Sequence, residues 1–308
     1  MKSLLVVVSQ FARCTRWRSG SDSLESLLAR DHFRTRFLYP RAQAEVEEAI
    51  QESLGDGTQG VVIVGGDGTV TQVITALHGN PLPVTILPAG TANDFSRELG
   101  FSSDPTELLA RLRVGRIRGV DLLDVNGRRF CTIGGLGLPA YGALSVSRWR
   151  KAHRLLASSI KVLGASVYPV SVVVNILFRP GINSKIELTY RVPRDSVESH
   201  LEVSTSGVLI ANQGCLAGRL RVSPESRNDD GVFEIVLIRP GTRTNLLRMI
   251  FKLVKGDSLS SSDITLYQAS EARLYCPQPC VFFGDGELLE TAAEFRLSSR
   301  PGLLRVIY

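Results

Sequence analysis

The sequence has few of the residues that build disulfide frameworks and metal centres. Its 308 residues include five cysteines and four histidines. An odd number of scattered cysteines argues against a disulfide framework, and no histidine stands at the spacing that zinc sites use. Cys276 and Cys280 flank Pro-Gln-Pro, which could place two thiols close together. A pair without further ligands is more often structural than a zinc site.

Long hydrophobic runs are also missing. The apolar run near the N-terminus covers residues 4–8 only, which is too short for the core of a signal peptide. The most apolar later stretch, residues 162–178, is interrupted by Pro169 and Asn175 and falls short of the about 20 apolar residues that span a bilayer. We interpret it as a buried helix end followed by a strand. We therefore expect a cytoplasmic protein whose membrane contact is peripheral.

A modest basic excess is the main bias of the composition. The formal net charge of +6 favours an anionic partner such as a nucleotide or an anionic membrane. Arg148, Arg150, Lys151 and Arg154 surround Trp149. Such a group can dock on anionic headgroups, although a solvated helix face is the commoner explanation. No motif that reads nucleic acid is present, so we expect no nucleic-acid partner.

The first third of the chain alternates between strand and helix patterns. Strand patterns occupy residues 4–8, 36–39, 61–64 and 84–87, and helix patterns occupy residues 23–29, 42–54, 69–77 and 91–99. Strands that alternate with helices across short connections predict a parallel sheet covered by helices. Residues 1–118 are therefore expected to form an α/β domain.

The pattern changes near residue 119. Segments of alternating polarity, separated by turn signals, predict many short strands, and two helical stretches intervene at residues 147–166 and 242–254. The predicted fold class is thus an α/β domain followed by a β-rich domain at residues 119–308, most simply a sandwich. The final strand, residues 303–307, either closes the second domain or returns to the first.

A glycine-rich turn follows the third predicted strand. The segment VVIVGGDGTV ends its strand at Val64, and a helix pattern opens at Thr69. A helix N-terminus beside a glycine turn is suited to bind phosphate, and a carboxylate there suits a nucleotide-bound Mg²⁺. The candidate nucleotide-binding residues are Gly65, Gly66, Asp67, Gly68 and Thr69. Taken alone, the segment is equally explained by a tight turn capped by Asp67, and it matches neither a P-loop nor a dinucleotide fingerprint.

A second turn of the same kind follows the next predicted strand. The segment ILPAGTANDFSRELG continues from a strand through Pro-Ala-Gly into a helix pattern that begins near Thr91. Asn93 and Asp94 fall in the first predicted turn of that helix, where helix capping is the simpler explanation. Because consecutive parallel strands end at one edge of a sheet, where such sheets bind ligands, the two turns together favour a binding site.

GGDGT at 65–69, PAGTANDF at 88–95 and FFGDGE at 282–287 together resemble the catalytic domain shared by diacylglycerol kinases, sphingosine kinases and bacterial lipid kinases. The resemblance implies a phosphofructokinase-like α/β domain that holds ATP and a C-terminal β-sandwich that receives a lipid, for which diacylglycerol is the expected choice. It further implies phosphate contacts from Gly65–Thr69 and Thr91. The acidic positions that would organise Mg²⁺ are Asp67, Asp94 and Asp121.

The late motif supplies the candidate catalytic residues. By resemblance, Asp285 and Glu287 match the family's acidic pair. If the segment is extended, residues two apart lie on one face, so both carboxylates point the same way. We expect Glu287 to accept the proton of the lipid hydroxyl and Asp285 to assist or bind metal. The alternative is a β-turn with two solvated acids.

Asp230 lies in an Asp-Asp-Gly turn and resembles a position that holds a structural Mg²⁺ in some bacterial members of the family. An ordinary turn is the preferred explanation. In the first loop, Ser9 and Gln10 replace the family's Asn-Pro, and an arginine-rich segment follows to residue 21. Ser9 is retained as a nucleotide-binding candidate. The altered loop leaves open a catalytically weak regulator that binds nucleotide or lipid, and GGDGT alone leaves open an NAD kinase.

Overall fold

The computed structural model describes residues 2–10, 12, 23–152, 167–179, 181–192, 198–218 and 220–308. Two compact units make up the chain. Unit 1 contains Met1–Val120 together with Gly302–Tyr308, and unit 2 contains Asp121–Pro301. The final strand segment therefore belongs to the first unit, which was one of the two placements left open by the sequence. Most of the loop between Ser9 and residue 21, as well as Arg154, lies outside the described residues.

Unit 1 is built around a parallel sheet. Its strands are β1 (Ser3–Val8), β2 (Arg34–Leu38), β3 (Gly60–Gly65) and β4 (Val84–Pro88). They run in the order β4-β3-β1-β2, and the end of the chain adds a parallel neighbour to β4 through Val306 and Val84. The strands β3 and β4 are buried along their whole length, as expected for a parallel sheet covered on both faces.

Five described helices connect or flank these strands. They are α1 (Leu24–Arg30), α2 (Gln43–Gly55), α3 (Asp67–Leu77), α4 (Asp94–Glu98) and α5 (Pro105–Val114). Buried leucines of α1 and α5 pack with β1 and β3 in one apolar cluster. The helices α3 and α4 begin directly after β3 and shortly after β4, so both start at the carboxyl edge of the sheet.

Unit 2 is dominated by antiparallel strands. They are β5 (Ile117–Val125, which begins in unit 1), β6 (Arg128–Phe130), β7 (Ile133–Gly137), β8 (Ser184–Arg191), β9 (Glu198–Thr205), β10 (Gly207–Ala211), β11 (Cys215–Leu216), β12 (Leu220–Arg221), β13 (Phe233–Ile238), β14 (Ile264–Ala269), β15 (Glu271–Gly284) and β16 (Glu287–Ile307, which ends in unit 1).

The long strand β15 joins two groups of strands. Its first part pairs with β8, which pairs with β9, and its last part pairs with β7, which leads through β10 and β13 to β14. Along its other edge β15 pairs with β16. Phe282 and Phe295 are buried at this centre with ring centroids 5.3 Å apart, so an aromatic core fixes the middle of the unit.

Three described helices pack in unit 2: α6 (Leu138–Ala152), α7 (Val167–Phe178) and α8 (Arg243–Lys255). The strand predicted toward residue 178 is wrong, because that segment is the helix α7. Its many β-branched residues suggest a strand, but its polar residues Ser171 and Asn175 are four apart, which places them on one face of a helix. The Ser171 hydroxyl donates to the carbonyl of Gly142, and the Asn175 amide donates to the Ser145 hydroxyl, so one polar stripe of α7 contacts α6.

Among the residues that the structure describes, no helix combines the length and apolar character that crossing a bilayer requires.

Candidate functional site

The first glycine turn is the start of helix α3. Gly66 is the residue before the helix, and its carbonyl accepts the N–H groups of Thr69 and Val70 at 2.9 and 3.1 Å. The helix thus begins at Asp67, two residues earlier than the sequence predicted, because these bonds close its first turn. A Cβ on Gly65 would lie 2.5 Å from Oγ1 of Thr69, so the Thr69 side chain folds back over a position that only glycine fits.

The two glycine turns touch each other. A Cβ built on Gly90 would lie 2.5 Å from Cα of Gly66, and a Cβ on Gly66 would lie 2.9 Å from Cα of Gly90. Behind this contact, the Ala89 N–H donates to the Gly65 carbonyl at 2.8 Å. The absence of both side chains therefore lets two backbone segments pack directly against one another.

Asn93 shapes the second turn. It adopts a left-handed conformation with φ of +53°, which asparagine tolerates better than most residues. Its Oδ1 accepts the Gly90 N–H at 2.9 Å, and its Nδ2 donates to the Gly90 carbonyl at 3.2 Å. The prediction of a helix from Thr91 is wrong, because this closed turn delays the helix to Asp94. Thr91 lies exposed in the bend before it.

Asp67 links the starts of the two helices. Its Oδ1 accepts the N–H of Phe95 at 3.3 Å, so the carboxylate of Asp67 lies at the residue that follows Asp94. Ser9 belongs to the same edge, because its N–H donates to the carbonyl of Val64 at 2.9 Å. The structure therefore brings together the sequence-predicted residues of unit 1. We call this group the glycine-loop site: Ser9, Gly65–Thr69 and residues 89–94.

The donor set of the glycine-loop site fits a magnesium ion that is bound with a nucleotide. Within the described ranges no group of three or more His, Cys, Asp or Glu side chains could hold a metal by itself. Mg²⁺ is usually held by one or two carboxylates together with phosphate oxygens and water. Asp67 and Asp94 offer two carboxylates beside two helix starts. Their metal-binding role stays a prediction.

In unit 2, the segment FFGDGE forms a tight hairpin between β15 and β16. Gly284 pairs with Glu287, and the two residues between them, Asp285 and Gly286, have φ of +54° and +78°. Asp-Gly with positive φ at both positions is typical of a two-residue hairpin turn. The structure thus has the β-turn that the sequence left as the alternative, and the condition of an extended segment is not met, since the chain reverses at Asp285. Glu287 is exposed at the start of β16.

The Asp285 carboxylate is held by the segment between β6 and β7. It accepts the N–H groups of Cys131 and Thr132 at 3.1 and 2.8 Å, and the Thr132 hydroxyl at 2.6 Å. The Asp285 backbone N–H also donates to the carbonyl of Ile133 at 3.2 Å. Asp285 therefore anchors the hairpin that carries Glu287. We refer to this arrangement as the acidic hairpin: Gly284–Glu287 with Cys131 and Thr132.

Asp121 and Asp230 meet at one turn in unit 2. Oδ2 of the buried Asp121 accepts the N–H of Gly231 at 2.7 Å, and Oδ1 of the exposed Asp230 accepts the N–H of Val232 at 3.2 Å. Both carboxylates thus stabilise the Asp-Asp-Gly turn through hydrogen bonds, which gives each of them a structural role. A metal at either residue remains a prediction.

Sequence reasoning missed Cys131, Thr132 and Asn212. The buried Asn212 amide donates to the carbonyls of Asp121 and Cys131 at 2.8 and 2.9 Å, so it ties the turn at Asp121 to the segment that holds Asp285. The sequence held one signal for Asn212. The pair Asn212-Gln213 directly follows a fully apolar strand, and polar side chains that are buried next to such a strand need hydrogen-bond partners.

Comparison with known proteins agrees with this arrangement. Residues 3–125 match the model of the diacylglycerol kinase catalytic domain, and residues 167–308 match the YegS C-terminal NAD kinase beta sandwich-like domain. A diacylglycerol kinase catalytic domain thus matches the first part of the chain, and a YegS-type domain matches the last part. Its predicted fold class, an α/β domain followed by a β-sandwich, is confirmed.

The family relatives span nearly the whole chain. A protein named diacylglycerol kinase from Mycobacterium tuberculosis strain H37Rv is 25% identical over 269 residues, covering 85% of this chain and 81% of its own. One named "Probable lipid kinase YegS-like" from Pectobacterium atrosepticum is 27% identical, with 89% and 84% covered. The crystal structure of a diacylglycerol kinase from Bacillus anthracis superposes with a TM-score of 0.68 at 20% identity, covering 100% and 96%. The chain thus resembles proteins named as diacylglycerol or lipid kinases over most of its length.

Replacing Gly90 with alanine tests the contact between the two turns. The new Cβ meets backbone at 2.5 Å, which cannot move aside as a side-chain end can. We expect Gly90→Ala to lower the free energy of unfolding by about 1–3 kcal/mol, as overpacking usually does. The measurement is urea unfolding followed by circular dichroism.

Gly68→Ala is the matched control, because a Cβ at Gly68 meets nothing within 4 Å and Gly68 lies inside α3. Alanine there should be neutral or stabilising by about 1 kcal/mol. Equal stability losses in the two variants would contradict the tight contact between the turns.

Proposed function

We propose that this protein is an ATP- and Mg²⁺-dependent lipid kinase that transfers the γ-phosphoryl group to a lipid hydroxyl, with diacylglycerol as the first candidate acceptor. The observation that carries the proposal is the glycine-loop site, in which the two family motifs of unit 1 close on each other through Gly66 and Gly90. The names of two relatives, diacylglycerol kinase, motivate the choice of acceptor.

The glycine-loop site would bind the nucleotide phosphates. Two helices begin there, and helix starts offer N–H groups and a positive dipole end to anions. Gly68 has open space where a side chain would be, so a phosphate can approach the backbone closely. Thr91, Asn93 and Ser9 line the same edge. When bound with ATP, Mg²⁺ would neutralise phosphate charge, and Asp67 with Asp94 would hold it.

Glu287 is the proposed general base. In the reaction its carboxylate accepts the proton of the lipid hydroxyl while the lipid oxygen bonds to the γ-phosphorus and the bond to the ADP oxygen breaks. Asp285 has a different part, since its oxygens already accept hydrogen bonds from Cys131 and Thr132. We therefore assign Asp285 to positioning the hairpin that presents Glu287.

An apolar region of unit 2 supports a lipid as acceptor. A cavity of about 40 Å³ lies among α6, α7, α8 and the adjoining strands, and its lining is apolar except for the phenol oxygen of Tyr168. The Tyr168 hydroxyl donates to the carbonyl of Pro139 at 3.1 Å, so its hydrogen-bonding capacity is met within the protein. The lining favours hydrocarbon over a polar acceptor such as NAD, but the cavity is far smaller than the about 300–1,000 Å³ of a ligand pocket and does not hold a whole acyl chain.

The exposed faces of α7 and α8 support contact with a membrane. Phe178 of α7 is 78% exposed and Phe251 of α8 is 59% exposed, which is unusual for aromatic side chains. Exposed Arg248 and Lys255 flank Phe251 along α8, and Nζ of Lys255 lies 4.5 Å from its ring centroid. An apolar surface bordered by basic residues complements anionic lipid headgroups, so we propose that α7 and α8 dock on an anionic bilayer.

The transfer itself is tested with radiolabelled Mg²⁺-ATP and acceptors presented in mixed micelles: diacylglycerol, sphingosine, ceramide and phosphatidylglycerol, with soluble NAD alongside. We expect a labelled lipid, with Asp67→Ala and Glu287→Gln each lowering the rate about 10²–10⁴-fold, the range for losing a general base or comparable charge stabilisation. Glu202→Gln, an exposed carboxylate of β9, is the matched control and should keep full activity.

Two outcomes of that assay would contradict the lipid kinase proposal, and a third would contradict only the role of Glu287. Labelled NAD without labelled lipid would make the protein an NAD kinase. Nucleotide binding without transfer to any acceptor would favour a regulator. Transfer that survives Glu287→Gln unchanged would remove Glu287 from the mechanism while leaving the kinase assignment in place.

Membrane docking is tested by co-sedimentation with vesicles of phosphatidylcholine, with and without phosphatidylglycerol. We expect binding that rises with the anionic lipid and falls about tenfold or more in Phe178→Ala/Phe251→Ala, since burying one large apolar side chain contributes about 1.5–3 kcal/mol. Leu54→Ala removes an exposed apolar residue of α2 and serves as the control. Equal binding by the double variant and the wild type would contradict docking through α7 and α8.

A further inference from the structure

The strand β15 contains a bulge built by the sequence Cys-Pro-Gln-Pro-Cys. Tyr275 pairs with Glu294 of β16, and the next paired residue, Cys280, faces Ala292. The intervening residues 276–279 therefore stand opposite a single residue of β16. Pro277 and Pro279 have no N–H to donate to a ladder, which explains why pairing is interrupted here. The bulge also marks the point where β15 changes its other neighbour from β8 to β7.

The bulge brings two thiols into contact. In an unbroken strand, residues four apart would be separated by about 13 Å. Here the Sγ atoms of Cys276 and Cys280 lie 3.3 Å apart. A disulfide bond is about 2.05 Å long, so modest side-chain rotations separate this contact from a covalent bond. Both cysteines are free thiols in the structure.

The two thiols have different surroundings. Cys276 is only 5% exposed and belongs to the aromatic core around Phe282 and Phe295, whereas Cys280 is half-buried at its margin. The contact with Cys276 lowers the pKa of the Cys280 thiol, while the same contact and burial raise the pKa of Cys276. The more accessible sulfur is therefore also the one that ionises first, which is the pattern of an attacking thiol beside a resolving thiol.

We propose that Cys276 and Cys280 form a reversible intramolecular disulfide by exchange with a small-molecule or protein disulfide. The Cys280 thiolate attacks one sulfur of the oxidant, which breaks the oxidant's S–S bond and releases one thiolate. Cys276 then loses its proton to solvent and attacks the Cys280 sulfur of the mixed disulfide. This second step releases the other thiolate, so the protein loses two electrons and two protons and the oxidant gains them. The site uses no residue of the glycine-loop site or the acidic hairpin.

Peptide mapping tests the proposal directly, because both cysteines fall on one tryptic peptide. Residues 274–296 follow Arg273, end at Arg296 and contain no other lysine or arginine. The folded protein is incubated with glutathione disulfide, denatured, treated with iodoacetamide and digested. We expect this peptide to lose both alkylation sites and two hydrogens, and to regain two alkylated cysteines after treatment with dithiothreitol.

Single substitutions separate the two roles. Cys276→Ser should trap a stable glutathione adduct on Cys280, whereas Cys280→Ser should leave Cys276 without an adduct because it is buried. Cys215→Ser, which alters a cysteine of β11, should form the internal disulfide as the wild type does.

The wild-type peptide alone decides the outcome if a variant fails to fold. Two alkylated cysteines after oxidation, a lasting glutathione adduct or a disulfide-linked dimer on a non-reducing gel would each overturn the proposal.

Discussion

The geometry of the glycine-loop site in unit 1 depends on the close approach of Gly66 and Gly90. A Cβ on either residue would lie under 3.0 Å from the other residue's Cα, so any larger side chain separates the two turns. Three features follow from that contact. Asn93 can close its own turn on Gly90, α4 starts late at Asp94, and the Phe95 N–H reaches Asp67. Two helix starts then face one place, which is the arrangement that anions favour.

Unit 2 depends on a connected series of buried and partly buried hydrogen bonds. It runs from Asp121 through the Asn212 amide to the carbonyl of Cys131, and from the N–H groups of Cys131 and Thr132 to the carboxylate of Asp285. Buried polar groups of this kind cost more when one partner is lost than they contribute when formed. These bonds fix the two-residue turn at Asp285 and Gly286, and the exposed Glu287 is the first residue after that turn.

Local patterns in the sequence predict the strands and glycine turns of unit 1, because each is encoded within about ten residues, but the starts of α3 and α4 are displaced and α5 is not predicted. The contacts of Asp285 are different, since its partners lie more than 150 residues away and no local signal links them. The same limit explains one error, since the strand predicted near residue 178 is a helix because α6 supplies partners for Ser171 and Asn175. The turn in FFGDGE is different, because Asp-Gly is itself a local turn signal; the distant part is its attachment to Cys131 and Thr132. The sequence also indicated that Cys276 and Cys280 could lie close together, because the two prolines between them prevent a regular strand.

The central claim is that both glycine turns bind one nucleotide. Backbone amide NMR of the ¹⁵N-labelled protein, titrated with Mg²⁺ and a non-hydrolysable ATP analogue, tests it most directly. The account predicts that amide signals of Gly65–Thr69 and of residues 89–94 shift together and saturate with a single dissociation constant. Saturable shifts elsewhere in the chain, with both turns unaffected, would contradict it.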